Sequence, residues 1–232
     1  MTVVVATTLA AFVMDQDDTW GAWLRNAEAI KASHDDVRYF AAIETDARHL
    51  GPFGPLVEAL HDLGADWWTY HLDDGRTQVT TGNRIRHLTM GQNLASEYAT
   101  AVGASHLLFL AADLEPPPDA LTKLLEVDHP LVGGHVPTYC LDGPMDVGYP
   151  ASWDVRTHMP TAAFVLIARE LFKRIKWRGD PEEGMTDDPA FHHDARTLHG
   201  VEALVRHDCV GRHWPESIGA IETRGHDMEV RR

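Results

Sequence analysis

Two acidic residues, Asp113 and Glu115, follow the strongly apolar run His106–Leu110 and come directly before a proline-rich turn. Apolar runs of this length are typical of buried strands, so we expect the carboxylates at a strand end. Carboxylate oxygens are hard ligands, suited to Mg²⁺ or Mn²⁺ bridging a diphosphate. The simpler alternative is that these acids cap the next helix or face solvent. Their position alone leaves both interpretations open.

Two adjacent histidines, His192 and His193, suggest a zinc site by composition. They lie in a segment with a helical pattern, where consecutive side chains point about 100° apart. Two such side chains do not readily share one metal ion. We therefore exclude a structural zinc site in this segment.

A short basic segment, residues 173–178, includes Trp177 and is a candidate nucleic-acid contact. If exposed, its cations would bind phosphates and the indole would stack on a base. The alternative is a basic helix end that complements the helix dipole. The formal net charge of -15, from 35 acidic and 20 basic residues, argues against binding to nucleic acid or membrane through the overall field.

The elements that must position these residues alternate along the chain. The predicted strands cover residues 3–7, 37–43, 66–71, 106–110, 131–136, 162–167 and 202–206, and the predicted helices cover residues 19–33, 55–63, 83–102, 118–127, 168–175 and 187–199. This alternation predicts an α/β fold in which crossover helices join parallel strands. Ligands bind such sheets beyond the carboxyl ends of the strands, so the residues after each strand are the first candidates for a site.

Length and composition describe an ordinary globular chain. Its 232 residues correspond to one large domain or two small ones. No stretch approaches the roughly 18 apolar residues of a membrane span. Cys140 and Cys209 form no C-x-x-C pair, which favours a reducing cytoplasm as the location.

The strand and its acids resemble the D-x-D segment of family-2-like GT-A glycosyltransferases, in which a strand reading LLFLDADVVPPPDAL precedes a helix. Five further segments resemble motifs of that family in the same order, namely residues 91–103 (ARN…A…G), 132–134 (VGG), 161–172 (TGAFLIRRELF), 187–196 (EDVDFCRRAR) and 209–213 (a late glycine-x-histidine). There are departures. Ala111 replaces the first aspartate of D-x-D, Gln92 replaces the arginine of ARN, and Ala190 replaces the third acid of EDVD.

The resemblance implies a single Rossmann-like GT-A domain over residues 1–215, with a mostly parallel central sheet flanked by helices. Its nucleotide-sugar half is expected at residues 1–136 and its acceptor and catalytic half at 137–215, followed by a polar tail, 216–232. The implied activity is that of a metal-assisted, hexosyltransferase-type enzyme. The expected donor is a nucleotide-diphosphate sugar, with UDP as its nucleotide, and the expected cofactor is Mn²⁺ or Mg²⁺.

The resemblance also implies roles for individual residues. Asp113 and His213 would hold the cation, with Glu115 compensating for the alanine at position 111. Asp188, or its neighbour Asp187, would be the general base of an inverting transfer, which needs a carboxylate to deprotonate the acceptor hydroxyl. The alternative for both aspartates is helix capping, because they precede a proline.

The remaining residues implied by the resemblance would line the substrate pockets. The nucleotide-sugar contacts would be Thr7, Thr8, Glu44, Arg86, Asn93 and Asp113, and the acceptor contacts would be His135, Tyr139 and Trp153. A solvated helix face is the alternative for the arginine, and a small satellite core is the alternative for the aromatic residues.

The acceptor stays open at this point. Small relatives of this kind occur in phages and glycosylate hydroxymethylated bases in DNA, which would place the protein in the host cytoplasm. Protein, glycan and small-molecule acceptors are the other classes. A catalytically decayed protein that only binds nucleotide sugars or carbohydrates is the alternative function, and Ala111 is its best support.

Overall fold

The structure is a computed structural model, and it describes residues 1–9, 19–45, 53–72, 81–112, 114–136, 162–179 and 187–213. The strands in these residues are β1 (Val3–Leu9), β2 (Val37–Glu44), β3 (Asp66–Tyr70), β4 (His106–Leu110), β5 (Leu114–Glu115), β6 (Leu131–His135), β7 (Phe164–Ala168), β8 (Leu204–Val210) and β9 (Arg212–His213). The helices are α1 (Thr19–Ser33), α2 (Phe53–Leu63), α3 (Thr81–Ala101), α4 (Ala120–Leu125), α5 (Arg169–Phe172) and α6 (Asp187–His199).

Seven of these strands form one sheet in the order β3-β2-β1-β4-β7-β6-β8. β7 is antiparallel to both of its neighbours, whereas the other adjacent strands pair in parallel. The predicted α/β class and the mostly parallel sheet are therefore confirmed. The direction of β7 was not predicted, because an apolar run looks the same whichever way it enters a sheet.

Apolar side chains cover both faces of the sheet. Val3 and Val5 pack into one core with residues of α1, α2 and α4, whereas Val4 and Ala6 pack into a second core with residues of α3 and α6. This alternation is the period of two that a strand imposes. As a result α3 lies directly across β1 and β2, and its buried side chains reach the carboxyl ends of those strands.

A small second sheet lies next to the large one. β5 and β9 pair antiparallel, with Leu114 opposite His213 and Glu115 opposite Arg212. The Asn26 side chain in α1 donates a hydrogen bond of 2.6 Å to the Leu114 carbonyl, which fixes β5 against the main body. The ladder thus ties a segment just after β4 to one near the end of the described chain.

The two predicted halves of the chain contribute to one continuous sheet. β7, from the predicted acceptor half, lies between β4 and β6, which come from the predicted nucleotide-sugar half. The predicted tail, residues 216–232, lies outside the described residues. Among the described residues, no helix combines the length and apolar character that a membrane span requires.

Candidate functional site

The carboxyl end of β1 holds two buried hydroxyl groups. Thr7 is 1% exposed, and within the described part of the chain the Oγ1 atoms of Thr7 and Thr8 have no hydrogen-bond partner. Gly91 of α3 lies directly against Thr8, because a Cβ atom there would be 2.7 Å from Thr8 Oγ1 and would overlap the methyl group. The glycine therefore lets the helix approach the strand end where both threonines were predicted.

The carboxyl end of β2 holds a buried acid–histidine pair. Oε1 of Glu44 lies 2.5 Å from Nδ1 of His87 in α3, and both residues are at most 2% exposed. The Tyr70 hydroxyl donates to the His87 carbonyl at 2.9 Å. Glu44 thus lies at the predicted strand end, and its contact with a nucleotide stays a prediction. His87 was not predicted, because no sequence pattern links it to a residue so far away.

The next residues of α3 bind two other segments of the chain. The Asn93 amide donates to the Trp177 carbonyl at 2.9 Å and accepts from the Trp177 amide at 3.0 Å. Gln92 Nε2 donates to Asp187 Oδ2 at 2.7 Å. Arg86, on an earlier turn of the helix, is exposed. These contacts give Asn93 a role in holding the chain together, and donor binding by Asn93 and Arg86 stays a prediction.

The two aspartates predicted as general-base candidates form the first turn of α6. Carboxylates are favourable there because they complement the positive end of the helix dipole. Asp187 is buried, with 9% of its surface exposed. Asp188 is half-buried, and its Oδ1 accepts a hydrogen bond of 2.7 Å from the backbone amide of Ala162, just before β7. The more accessible of the two carboxylates is therefore Asp188.

The predicted metal ligands come from segments that the β5–β9 ladder brings together. Leu114, the residue after Asp113, pairs with His213, and the exposed Glu115 follows. Asp113 itself lies outside the described residues, as do the predicted acceptor residues Tyr139 and Trp153. Within the described residues, no three His, Cys, Asp or Glu side chains are grouped as metal ligands. The predicted ligand set therefore depends on Asp113 and stays a prediction.

His135, the remaining predicted acceptor residue, ends β6 next to a register irregularity. Its carbonyl accepts from the Gly211 amide at 2.9 Å, which connects β6 to the turn before β9. A Cβ atom at Gly134 would overlap the Phe164 ring and lie 2.8 Å from the Cys209 carbonyl, so the close packing needs glycine.

Burial raises the pKa of the Cys209 thiol to about 11, which leaves it protonated and unsuited to nucleophilic chemistry.

The basic segment at residues 173–178 does not have the exposed aromatic side chain that base stacking requires. Trp177 is 3% exposed and stacks on Phe191 with ring centroids 4.2 Å apart. The guanidinium of Arg178 pairs with Asp194 at 2.9 Å. The condition for base stacking, an exposed indole, is therefore not met, because the Trp177 ring completes the core between the sheet and α6.

Comparison with solved structures gives an informative match. The mannosyltransferase PcManGT from Pyrobaculum calidifontis, in complex with GDP-Man and Mn²⁺, is similar with a TM-score of 0.58 at 14% sequence identity. The alignment covers 99% of this chain and 64% of that one, so the chain spans less than two thirds of that enzyme. The shared feature is a glycosyltransferase fold.

A second structure, A197 from STIV, has a TM-score of 0.43 at 12% identity, with 92% of this chain and 85% of that chain covered. This likeness is too distant to inform the site. No protein-family model and no curated protein matches the chain. Within its fold, the chain brings Thr7, Thr8, Glu44 and the α6 aspartates towards the carboxyl edge of the sheet.

Proposed function

We propose that the protein is a metal-assisted glycosyltransferase that moves a sugar from a nucleotide-diphosphate sugar to an acceptor hydroxyl. The observation that carries the proposal is the β5–β9 ladder, which within a glycosyltransferase fold joins the segment after Asp113 to His213. A likeness in fold leaves the activity open, so the proposal depends on what the residues of this chain can do.

The buried hydroxyl groups at the end of β1 support a polar ligand there. A buried polar atom that lacks a hydrogen bond costs about 1–3 kcal/mol. The Oγ1 atoms of Thr7 and Thr8 lack such a bond within the described chain. The hydroxyl and carbonyl groups of a nucleoside are suitable hydrogen-bond partners for threonine hydroxyl groups, and the donor nucleotide is the ligand proposed for this strand end. The mannosyltransferase complex contains GDP-Man, so GDP- and UDP-sugars are both candidate donors.

The proposed cation ligands are Asp113, Glu115 and His213. Carboxylate oxygens with one imidazole form a donor set that suits Mn²⁺ and Mg²⁺. A cation bound there supplies positive charge that stabilises the departing diphosphate. Ala111 replaces the first acid of the family motif, and Glu115 is proposed to supply the second carboxylate in its place.

Asp188 is the proposed general base. Its carboxylate is the more accessible of the α6 pair, and its Oδ1 accepts a hydrogen bond from the Ala162 amide, which orients the group. A carboxylate so held accepts the proton of the acceptor hydroxyl as that oxygen attacks the anomeric carbon. The expected outcome is inversion, which NMR analysis of the product's anomeric configuration tests. Retention would contradict this role for Asp188.

Thermal denaturation with candidate donors tests the proposal. UDP-glucose, GDP-mannose and TDP-glucose are each added with Mn²⁺, Mg²⁺ or EDTA to wild type, Asp113→Ala and Asp119→Ala. A donor at about 100 times its dissociation constant stabilises the native state by about 2.7 kcal/mol, or roughly 5–10 °C for a chain of this size. The shift is expected to need the metal, to disappear in Asp113→Ala and to persist in Asp119→Ala.

The other outcomes are equally informative. A shift that persists in EDTA would mean that Ala111 marks a metal-independent site. A shift without donor consumption would favour the nucleotide-sugar-binding protein over the enzyme. The absence of any shift would overturn the proposal. An active donor is then paired with hydroxymethylated DNA, proteins, glycans and simple glycosides to identify the acceptor.

A further inference from the structure

One turn of α3 contacts three separate segments of the chain through consecutive residues. Gly91 lies against the end of β1, Gln92 bonds to Asp187 at the start of α6, and Asn93 bonds twice to the backbone of Trp177. α3 lies against the strand end that is predicted to contact the nucleotide. The same helix therefore also holds α6, which carries the predicted base.

We propose that Gln92 is a positioning residue that fixes Asp187 and thereby the placement of Asp188, an inference that rests on the proposed function. Asp187 and Asp188 are consecutive in the first turn of α6, so a shift of one moves the other. Reaction rates are sensitive to such shifts, because a misplacement of about 1 Å can cost a factor of about 100.

The geometry of the Gln92–Asp187 contact supports a specific polar role. The two residues are 4% and 9% exposed, and the donor–acceptor distance of 2.7 Å is typical of a charge-assisted hydrogen bond. Only the amide nitrogen can face the carboxylate, because the reversed amide would place two oxygens together. Glutamine makes this bond without adding a charge, so it orients Asp187 without neutralising it.

The alternative is that Gln92 only fills space between α3 and α6. Two substitutions separate these roles. Gln92→Met keeps the length of the side chain and removes the bond. Gln92→Glu keeps the shape, repels Asp187 when ionised, and restores a donor when protonated. α6 carries two further titratable groups near this contact, Asp188 beside Asp187 and the buried His192 in the following turn.

The experiment measures nucleoside diphosphate release from GDP-mannose and UDP-glucose with Mn²⁺, with water as acceptor, between pH 5 and 8. For Gln92→Met we expect kcat to fall about tenfold or more, with KM for the donor within about twofold. At pH 8 the kcat of Gln92→Glu is expected to be lower than that of Gln92→Met. At pH 5 it is expected to be higher. Ser96→Ala is the matched control, because Ser96 is buried on the same helix and its hydroxyl donates to the Gln92 carbonyl at 2.9 Å, within α3 itself.

An unchanged kcat in Gln92→Met, or parallel pH profiles for the two variants, would overturn the positioning role. If wild type releases nucleotide from neither donor, the proposed function fails for these donors. The melting temperatures of the two variants at different pH values then test whether residue 92 bonds to Asp187. Because Asp187 raises the pKa of the carboxyl group that Gln92→Glu introduces, the stability of this variant should fall relative to Gln92→Met as the pH rises. Identical pH dependence would show that residue 92 does not bond to Asp187.

Discussion

The amino edge of the sheet, where the parallel strands begin, and the carboxyl edge, where they end, differ in the burial of their polar groups. At the amino edge of β1, β2 and β4, polar groups are satisfied close to solvent. The N-terminal amine lies 3.0 Å from Asp36 with both groups at least half exposed, and the Ser105 hydroxyl donates to the Thr2 carbonyl at 2.8 Å. These contacts satisfy the polar groups at the amino edge without burying a charge.

At the carboxyl edge, polar groups are buried and only partly satisfied. Glu44 and His87 meet inside the protein, and the hydroxyl groups of Thr7 and Thr8 lack partners within the described chain. Burying such groups is unfavourable unless they gain strong partners. Proteins depart from consistent local design mainly at functional sites, so this difference supports a ligand site at the carboxyl edge.

The largest expected effect that tests this difference is loss of the proposed base. Asp188→Asn keeps the shape and an oxygen that accepts from the Ala162 amide, but the amide cannot take a proton. We expect the transfer rate to fall about 10²–10⁴-fold while the donor-induced shift in melting temperature persists. Asp194→Asn, the same change later in α6, is the control. A rate within threefold of wild type would remove Asp188 from the chemistry.

The next effect concerns the buried pair at the end of β2. His87→Ala removes a partner of a buried carboxyl group, so we expect the free energy of unfolding to fall by about 3 kcal/mol. Urea denaturation measures it. The control is Lys176→Ala, which breaks an exposed contact with Glu97. Glu97 lies on α3, as His87 does, and the loss should be less than about 1 kcal/mol. Equal losses in the two variants would mean that burial does not distinguish the two contacts.

A smaller effect is expected where α3 meets β1. Gly91→Ala places a methyl group against Thr8, so overpacking should lower stability by about 1–2 kcal/mol after the helix-forming gain of alanine. Gly54→Ala in α2 has no atom within 4 Å of the new methyl group and should be neutral or stabilising. Adding Thr8→Ser to Gly91→Ala removes the overlapping methyl group and should restore part of the loss. Thermal denaturation of all three variants would show whether this approach is as tight as the structure implies.

The smallest effect is expected at the amino edge. Hydrogen bonds from the N-terminal amine and Thr2 hold the pKa of Asp36 below its ordinary value of 3.8. A lowered pKa stabilises the folded state above that value, and the contribution disappears as the pH falls below it. Asp36→Asn should therefore lower the melting temperature slightly at pH 7, and the loss should become smaller as the pH falls below 3.8. A larger loss at pH 3 than at pH 7 would contradict this assignment.

Long periodic elements were predictable from the sequence, whereas their partners were not. The bounds of β4 and α6 match the prediction, because a buried apolar run and an amphipathic helix with acids at its start carry their own signals. β5 and β9 have two residues each, too few to show a period, and they form only because distant segments meet.

The candidate site shows the same limit. Thr7, Thr8 and Glu44 were predictable as strand-end residues, because parallel strands gather their carboxyl ends at one edge. The contact of Gln92 with Asp187 joins residues 95 positions apart, and it depends on the rotation of α3 about its axis. The exposure of Trp177 was left open for a related reason, since composition does not reveal on which side of a helix or turn an aromatic ring lies.

The position of β6 in the sheet has a consequence for synthesis on the ribosome. β6 pairs with β7 and β8, and both follow it in the chain. A nascent chain that has emerged only as far as β6 can pair β1 to β4 with one another, but it leaves β6 without either neighbour. During that interval a strand with two open edges is available for pairing with other chains. We expect chaperone contacts to concentrate on this strand until β7 emerges and inserts between β4 and β6.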